Sequence, residues 1–229
     1  STAKAVLMYT TESVAIPVRI PVIDLGNNEV WEEVAEDPKH VNNPEDCVYC
    51  IYTSGTTGRP KGVIVTNIGL IGLVESYSDV FEIKTSDRMM QFANYCFDQS
   101  VGDIFGTLLN GGELYIVPDE IRYNTDEIEN FMRKNRITVA SLTPKVIRAV
   151  DFSDLPELRL LDSGGEAAEL DVLRNVAVSG KKIINSYGPT EATVNTTYAE
   201  FREDTERVVI GHPACHVKVY IMVNDTPCG

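Results

Sequence analysis

An α/β fold, with a mainly parallel sheet carrying helices on both faces, is what this sequence predicts. Two observations carry the prediction. From Glu113 to Asn185, short β-branched or apolar runs alternate with amphipathic stretches of helical length, and such alternation lays helices across the faces of a parallel sheet. Two of the strand-like runs end in turn-forming stretches, Asp162-Ser163-Gly164-Gly165-Glu166 and Ser186-Tyr187-Gly188-Pro189. In parallel sheets ligands bind there, beyond the carboxyl ends of the strands.

Taken in order, Val18 to Leu25 and Cys47 to Thr53 are β-branched or aromatic-rich and read as strands. The polar, acidic stretch Asn27 to Asp46 between them reads as a surface connection. Thr66 is placed to cap a helix from Asn67 to Val80, with Ile68, Ile71, Leu73 and Val74 on one side. Arg88 to Ala93 reads as a strand, and Val101 to Leu109 as a helix stopped by Gly111 and Gly112. Glu113 to Val117 is a strand, and Asp126 to Lys134 a helix capped by Thr125 with acids in its first turn. Ile137 to Leu142 (strand), Pro144 to Val150 (helix, proline first), Leu158 to Leu161 (strand), Leu170 to Val178 (helix) and Lys182 to Asn185 (strand) complete the alternation. The tail His216 to Val223, before Asn224-Asp225, reads as the first strand of a hairpin.

Composition narrows the function. With 229 residues, 43% hydrophobic and 24% charged, the chain can build one large core. Twenty Lys and Arg against 34 Asp and Glu give a net charge of −14, a field that repels polyanions and argues against a nucleic-acid partner. An anionic small molecule could still bind in a local cradle of N–H groups and cations. No apolar run approaches the roughly 18 residues of a membrane span, and no basic-then-apolar leader opens the chain, so no membrane partner and a cytoplasmic location are expected. Five cysteines do not suggest a disulfide framework. Cys47 and Cys50 lie three apart in an apolar strand, which points them to opposite faces, and they read as buried strand residues. Pro213 separates His212 from His216 and argues against a helical metal pair.

Three segments carry chemistry. In Tyr52-Thr53-Ser54-Gly55-Thr56-Thr57-Gly58-Arg59-Pro60-Lys61-Gly62, hydroxyls and glycines form a loop able to wrap phosphate oxygens, and Lys61 supplies the countercharge. A solvated hairpin turn is the plain alternative. The ordinary P-loop is excluded, because Arg59-Pro60 separates Gly58 from Lys61 and no Ser or Thr follows the lysine. In Asn185-Ser186-Tyr187-Gly188-Pro189-Thr190-Glu191, Tyr187 offers a flat face for a base, while Thr190 and Glu191 offer oxygens suited to Mg2+. A Gly-Pro turn is the structural alternative. In the third segment, Gly164 and Gly165 allow close backbone approach to a flat ligand.

Together these segments resemble the adenylate-forming superfamily: Tyr52–Gly62 its phosphate loop, and Tyr187–Glu191 its adenine and magnesium segment. Between them Phe97-Asp98-Gln99-Ser100 is similar to the amino-acid-binding segment of nonribosomal peptide synthetase adenylation domains. The resemblance implies that residues 1–46 close a first sheet subdomain, 47–205 form the ATP- and amino-acid-binding core, and 206–229 begin a β-rich subdomain. It implies that Thr53, Ser54, Gly55, Thr56, Thr57, Gly58 and Lys61 hold the ATP phosphates. Gly164, Gly165 and Glu166 would lie along the adenine, Tyr187 would stack on it beside Gly188, and Asn185 would bond its edge. Thr190 would meet the α-phosphate, Glu191 would bind Mg2+, and Lys61, Thr190 and Glu191 would be the catalytic groups. Asp98 would pair with the substrate α-ammonium; a helix N-cap is its plain alternative.

The side-chain pocket implied is Gln99, Gly102, Ser141, Leu161, Ser163, Ser186, Val194 and Asn195, with Gly102 leaving room for a polar or sizeable side chain. The implied reaction joins an amino acid to AMP, releases pyrophosphate, and passes the aminoacyl group to a phosphopantetheine carrier protein. The family's ribose-binding aspartate, hinge and catalytic-lysine domain fall beyond Gly229, so little activity is expected of this chain alone. A D-alanine–carrier ligase, an acyl- or aryl-CoA ligase and a non-catalytic fragment remain as alternatives. Asp98 speaks against the CoA ligases.

Overall fold

The computed structural model describes residues 6–8, 22–24, 39–54, 58–224 and 226–227. The chain divides into two compact units, Ser1–Asn42 and Asn43–Gly229. In the first, strands β1 (Val6–Met8) and β2 (Val22–Asp24) pair in parallel, Leu7 opposite Ile23. The rest of the expected strand at Val18 to Leu25, and most of the connection from Asn27, lie outside the described residues.

The second unit opens with an antiparallel hairpin, β3 (Cys47–Thr53) and β4 (Lys61–Thr66). A bulge between Cys47 and Tyr49 shifts the register and so reverses the face alternation. Cys47 and Cys50 therefore both end up exposed, correcting the buried cysteines expected from unbroken strand geometry. Helix α1 (Asn67–Asp79) begins after Thr66, but the Thr66 hydroxyl caps nothing. Its first N–H groups donate instead to loop carbonyls, Asn67 to Asp46 (3.0 Å) and Ile68 to Pro44 (3.0 Å). The helix buries Leu70, Leu73, Ser76 and Tyr77, whereas Ile68 and Ile71 stay exposed, so its inward face is rotated from the one expected.

The main sheet contains β5 (Arg88–Gln91), β6 (Glu113–Ile116), β7 (Val139–Leu142), β8 (Leu160–Ser163), β9 (Lys182–Tyr187), β10 (Thr197–Phe201) and β11 (His212–Pro213). Its spatial order is β11-β10-β9-β8-β7-β5-β6. The five strands from β6 to β9 are parallel, and β10 and β11 add antiparallel strands at the edge. Helices α2 (Gln99–Leu108), α3 (Thr125–Asn135), α4 (Pro144–Ala149) and α5 (Leu170–Ala177) connect the strands. Asn124, not Thr125, caps α3 by accepting from the Glu127 N–H.

Strand alternation sorts the core into two layers. Met89, Val139, Leu160 and Ile184 face Leu70, Leu73, Tyr77, Phe81 and Val101, on and beside α1 and α2. Met90, Ala140, Leu142, Leu161 and Ile183 face Ile128, Met132, Ile147, Val172 and Leu173 on α3, α4 and α5. Helices thus cover both faces, as the alternation predicted. Each fully buried aliphatic side chain in these layers contributes on the order of 1.5–3 kcal/mol. The chain goes from β5 to one neighbour, β6, and then to the other, β7, so the order reverses at β5. A tail hairpin, β12 (Met222–Val223) with β13 (Thr226–Pro227), lies outside the main sheet.

Candidate functional site

Beyond the carboxyl ends of β5, β7, β8 and β9, at the point of strand-order reversal, lies an open cleft of about 590 Å³. This is where a parallel sheet presents a crevice for ligands. Its walls include Asp98, Gln99, Ser141, Gly164, Gly165, Glu166, Gly188, Thr190, Val194 and Asn195, all singled out from the sequence. Also on the walls, and not anticipated, are Phe92, Arg122, Tyr123 and Asp162.

Asp98 occupies the N-cap position of α2, yet its carboxylate makes no capping bond. Its backbone carbonyl starts the helix instead, accepting from Val101 at 2.9 Å. The carboxylate is thereby left to the cleft rather than spent on the helix. It lies close enough to Tyr49 of β3 to add to burial in pushing that phenol up to about 12. Beside it, Gln99 donates to Asp103 Oδ1 (2.9 Å) and to the Tyr77 hydroxyl (3.2 Å).

The glycine-rich turn after β8 places Gly165 in the left-handed region at φ +80°, with only a Thr143 methyl near the position a Cβ would take. A flat ligand can approach that backbone closely. Glu166, next along, pairs with Lys145 at 3.0 Å. After β9, Thr190 and Glu191 sit in a short 3₁₀ turn (Thr190–Ala192) against which β4 packs. The β3–β4 hairpin, which carries the residues expected of a phosphate loop, thus packs on this turn. Thr53, Ser54, Gly58 and Lys61 are described; Gly55, Thr56 and Thr57 lie outside the described residues. Gly58 adopts φ +77° with open space around it. Thr193 (φ +59°) and Val194 (φ +67°) follow the turn in the left-handed region, a strained backbone for a β-branched residue that is typical of functional loops.

Several expected pocket residues stand elsewhere. Leu161 is wholly buried in the α3–α5 layer, and Ser163, two residues on, shares its strand parity. Neither is on the cleft wall. Ser141 and Asp162 instead pair across β7 and β8 and share a face. Gly102 is off the wall as well: a Cβ there would come within 2.6 Å of the Tyr77 hydroxyl, so the room it leaves is filled by Tyr77. Ser186 and Asn185 are buried, and Asn185 donates to the Val209 carbonyl at 2.8 Å. Tyr187 is half exposed.

Beneath the cleft lies a buried polar layer. Asp103 and Asp162 are fully enclosed. Burial pushes Asp162 up to about 7, against a smaller opposing pull from the Ser186 and Ser141 hydroxyls. Those hydroxyls stand near it, but neither carboxyl oxygen of Asp162 accepts a hydrogen bond of ordinary geometry. Asp103 is raised well above the usual carboxylate range, first by burial, with Asp162 adding to the shift. An aspartate inside the apolar run Leu160-Leu161-Asp162 was the sequence signal that could have identified this layer.

Residues 3–228 match the family of AMP-binding enzymes, and the chain belongs to that family. Within it, the chain is similar to adenylation domains of nonribosomal peptide synthetases. Bacitracin synthase 1 of Bacillus licheniformis is 35% identical over 226 residues, covering 95% of this chain and 4% of the synthase. Malpinin synthetase of Mortierella alpina is 39% identical over 219 residues, 86% of this chain and 3% of the synthetase. The nonribosomal peptide synthetase FmoA3 with α-methyl-L-serine-AMP bound superposes with a TM-score of 0.87 at 26% identity, covering 98% of this chain and 27% of FmoA3. The Vibrio cholerae adenylation domain AlmE, in complex with glycyl-adenosine-5′-phosphate, gives 0.71 at 29%, over 85% of this chain and 37% of AlmE. The chain thus spans only a few per cent of the length of the curated relatives it matches.

Proposed function

We propose that this chain is the nucleotide- and amino-acid-binding part of an enzyme that activates an amino acid with ATP, giving aminoacyl-AMP and pyrophosphate, for transfer to a phosphopantetheine carrier protein. The observation that carries the reading is Asp98, an uncapped carboxylate at a helix start on the wall of a cleft at the strand-order reversal. It supplies a counter-ion for a substrate ammonium, which fatty and aryl acids lack.

In the reaction an oxygen of the substrate carboxylate forms a bond to the α-phosphorus as the bond to the bridging oxygen of pyrophosphate breaks. Both partners are anionic, so positioning and charge neutralisation account for the catalysis. Asp98 would anchor the ammonium, fixing the carboxylate in the cleft. The Gly164–Glu166 backbone and Tyr187 would flank the adenine, and Asn185 its edge. Thr53, Ser54, Gly58 and Lys61, with the loop between them, would take the phosphates, and Thr190 the α-phosphate. Glu191 is an exposed oxygen donor beside a hydroxyl, chemistry that fits Mg2+ shared with phosphate oxygens. When bound, Mg2+ would offset phosphate charge. The similarity to FmoA3, whose structure has also been solved with AMPPNP bound, supports ATP as the nucleotide.

Amino-acid-dependent ATP–pyrophosphate exchange tests the reading. Exchange with one amino acid is expected when the chain is joined to a C-terminal lysine-bearing domain, with a loss of about a hundredfold or more in Lys61→Ala. Exchange driven by a carboxylic acid lacking an ammonium group, or none in a folded, Mg2+-supplied sample, would refute it.

A further inference from the structure

We propose that Asp162 selects the substrate: the floor of the cleft takes an amino acid whose side chain ends in a protonated amine or guanidinium. The inference rests on the amino-acid-activation reading of the same cleft and adds which amino acids it accepts.

Asp162 lines the cleft, is fully buried, and has no hydrogen-bond partner on either oxygen. A carboxylate in that position costs several kcal/mol unless a cation or donor meets it. The Ser141 and Ser186 hydroxyls stand near it and ease that cost in part, but a hydroxyl brings no positive charge, and among the described residues no cation stands with them. Gln99 is already committed to Asp103 and Tyr77. Tyr77 on α1, Tyr198 on β10 and Asp103 on α2 crowd the site with further acidic or phenolic groups. Among the described residues the one cation lining the cleft is Arg122, held by Asp119 (3.0 Å) and the Val117 carbonyl (3.2 Å) and lying over the Phe92 ring at 5.6 Å. With Asp98 assigned to the α-ammonium, a second, dry carboxylate remains to be paired, and a basic side chain brings the missing charge. A neutral side chain of the same length would leave Asp162 unpaired. Rejection of substrates that cannot satisfy a buried polar group is among the strongest forms of selectivity.

The test is calorimetric titration of this chain at pH 8, with a non-hydrolysable ATP analogue and Mg2+ present. The titrants are L-ornithine, L-lysine and L-arginine, and, as uncharged side chains of similar length, L-norleucine and L-methionine. One basic amino acid is expected to bind at least about tenfold more tightly than the uncharged ones, and Asp162→Asn to abolish that margin. The wild-type comparison stands even where the variant does not fold. Equal binding of norleucine, or an unchanged margin in a folded Asp162→Asn, overturns the inference while leaving amino-acid activation intact. Binding of no amino acid by the folded chain overturns both.

Discussion

Asp162 and Asp103 are single residues that make this molecule's stability depend on pH. A carboxyl raised to about 7 in the folded chain, against about 3.9 unfolded, binds its proton more tightly when folded. Its contribution to stability is therefore complete below about pH 4 and is lost as pH rises through about 7. Asp103, shifted in the same direction, adds to the trend. Asp162→Asn keeps the shape and removes the ionisation. It should melt near the wild type at pH 4 and be more stable at pH 8, by up to about 4 kcal/mol. Thermal unfolding followed by circular dichroism across that range checks this. Identical melting at pH 8 would show that Asp162 is already neutralised in the free protein.

At the scale of elements, the contact of α1 with α2 depends on glycine. Tyr77 lies across α2 so closely that a Cβ on Gly106 would run into its ring. Both are buried, so neither can yield freely. Gly106→Ala should cost about 1–3 kcal/mol, although alanine favours a helix; chemical denaturation measures the balance. A gain in stability would show that the two helices can separate without loss. The helices and parallel strands of this region were legible because their periodicity is intrinsic to the sequence. Strands β10 and β11 were not: their pairing with β9 is a long-range matter that no local pattern announces. The bulge in β3 was hidden for the same reason, and with it the exposure of Cys47 and Cys50. On the cleft wall, the glycine turns could be read from residue type and order, and Asp98 and Gln99 from the family resemblance. Which parity of β8 faces the cleft could not, because a strand buried on both faces shows no alternation of polarity. The resemblance implied Leu161 and Ser163, while Asp162 reaches the wall.

Among the described residues of the second unit, stability falls from the middle of the main sheet outward. Strands β7 and β8 are buried along their full length between two helical layers, whereas β3–β4 and β12–β13 are two-stranded pairs with exposed residues. Isolated two-stranded pairs are marginal in water. Amide hydrogen exchange should accordingly be slowest in β7 and β8, approaching the rate set by global unfolding, and fastest in β12–β13. Addition of ATP should slow exchange in the β3–β4 hairpin, whose second strand begins at Lys61, more than in β12–β13. Equal slowing in both would count against a phosphate-binding role for the hairpin loop.

The crossing at Gly188 has a practical consequence for redesign. The backbone of Val194, Asn195 and Thr196 passes so close to Gly188 that no Cβ fits between them. The Thr196 N–H also donates to the Tyr187 carbonyl at 2.7 Å. The tyrosine turn and the strained segment on the cleft wall are therefore one mechanical piece. Anyone exchanging selectivity between relatives should transplant residues 187–196 as a single cassette; grafting Val194 and Asn195 alone would set a foreign loop against a turn shaped for another.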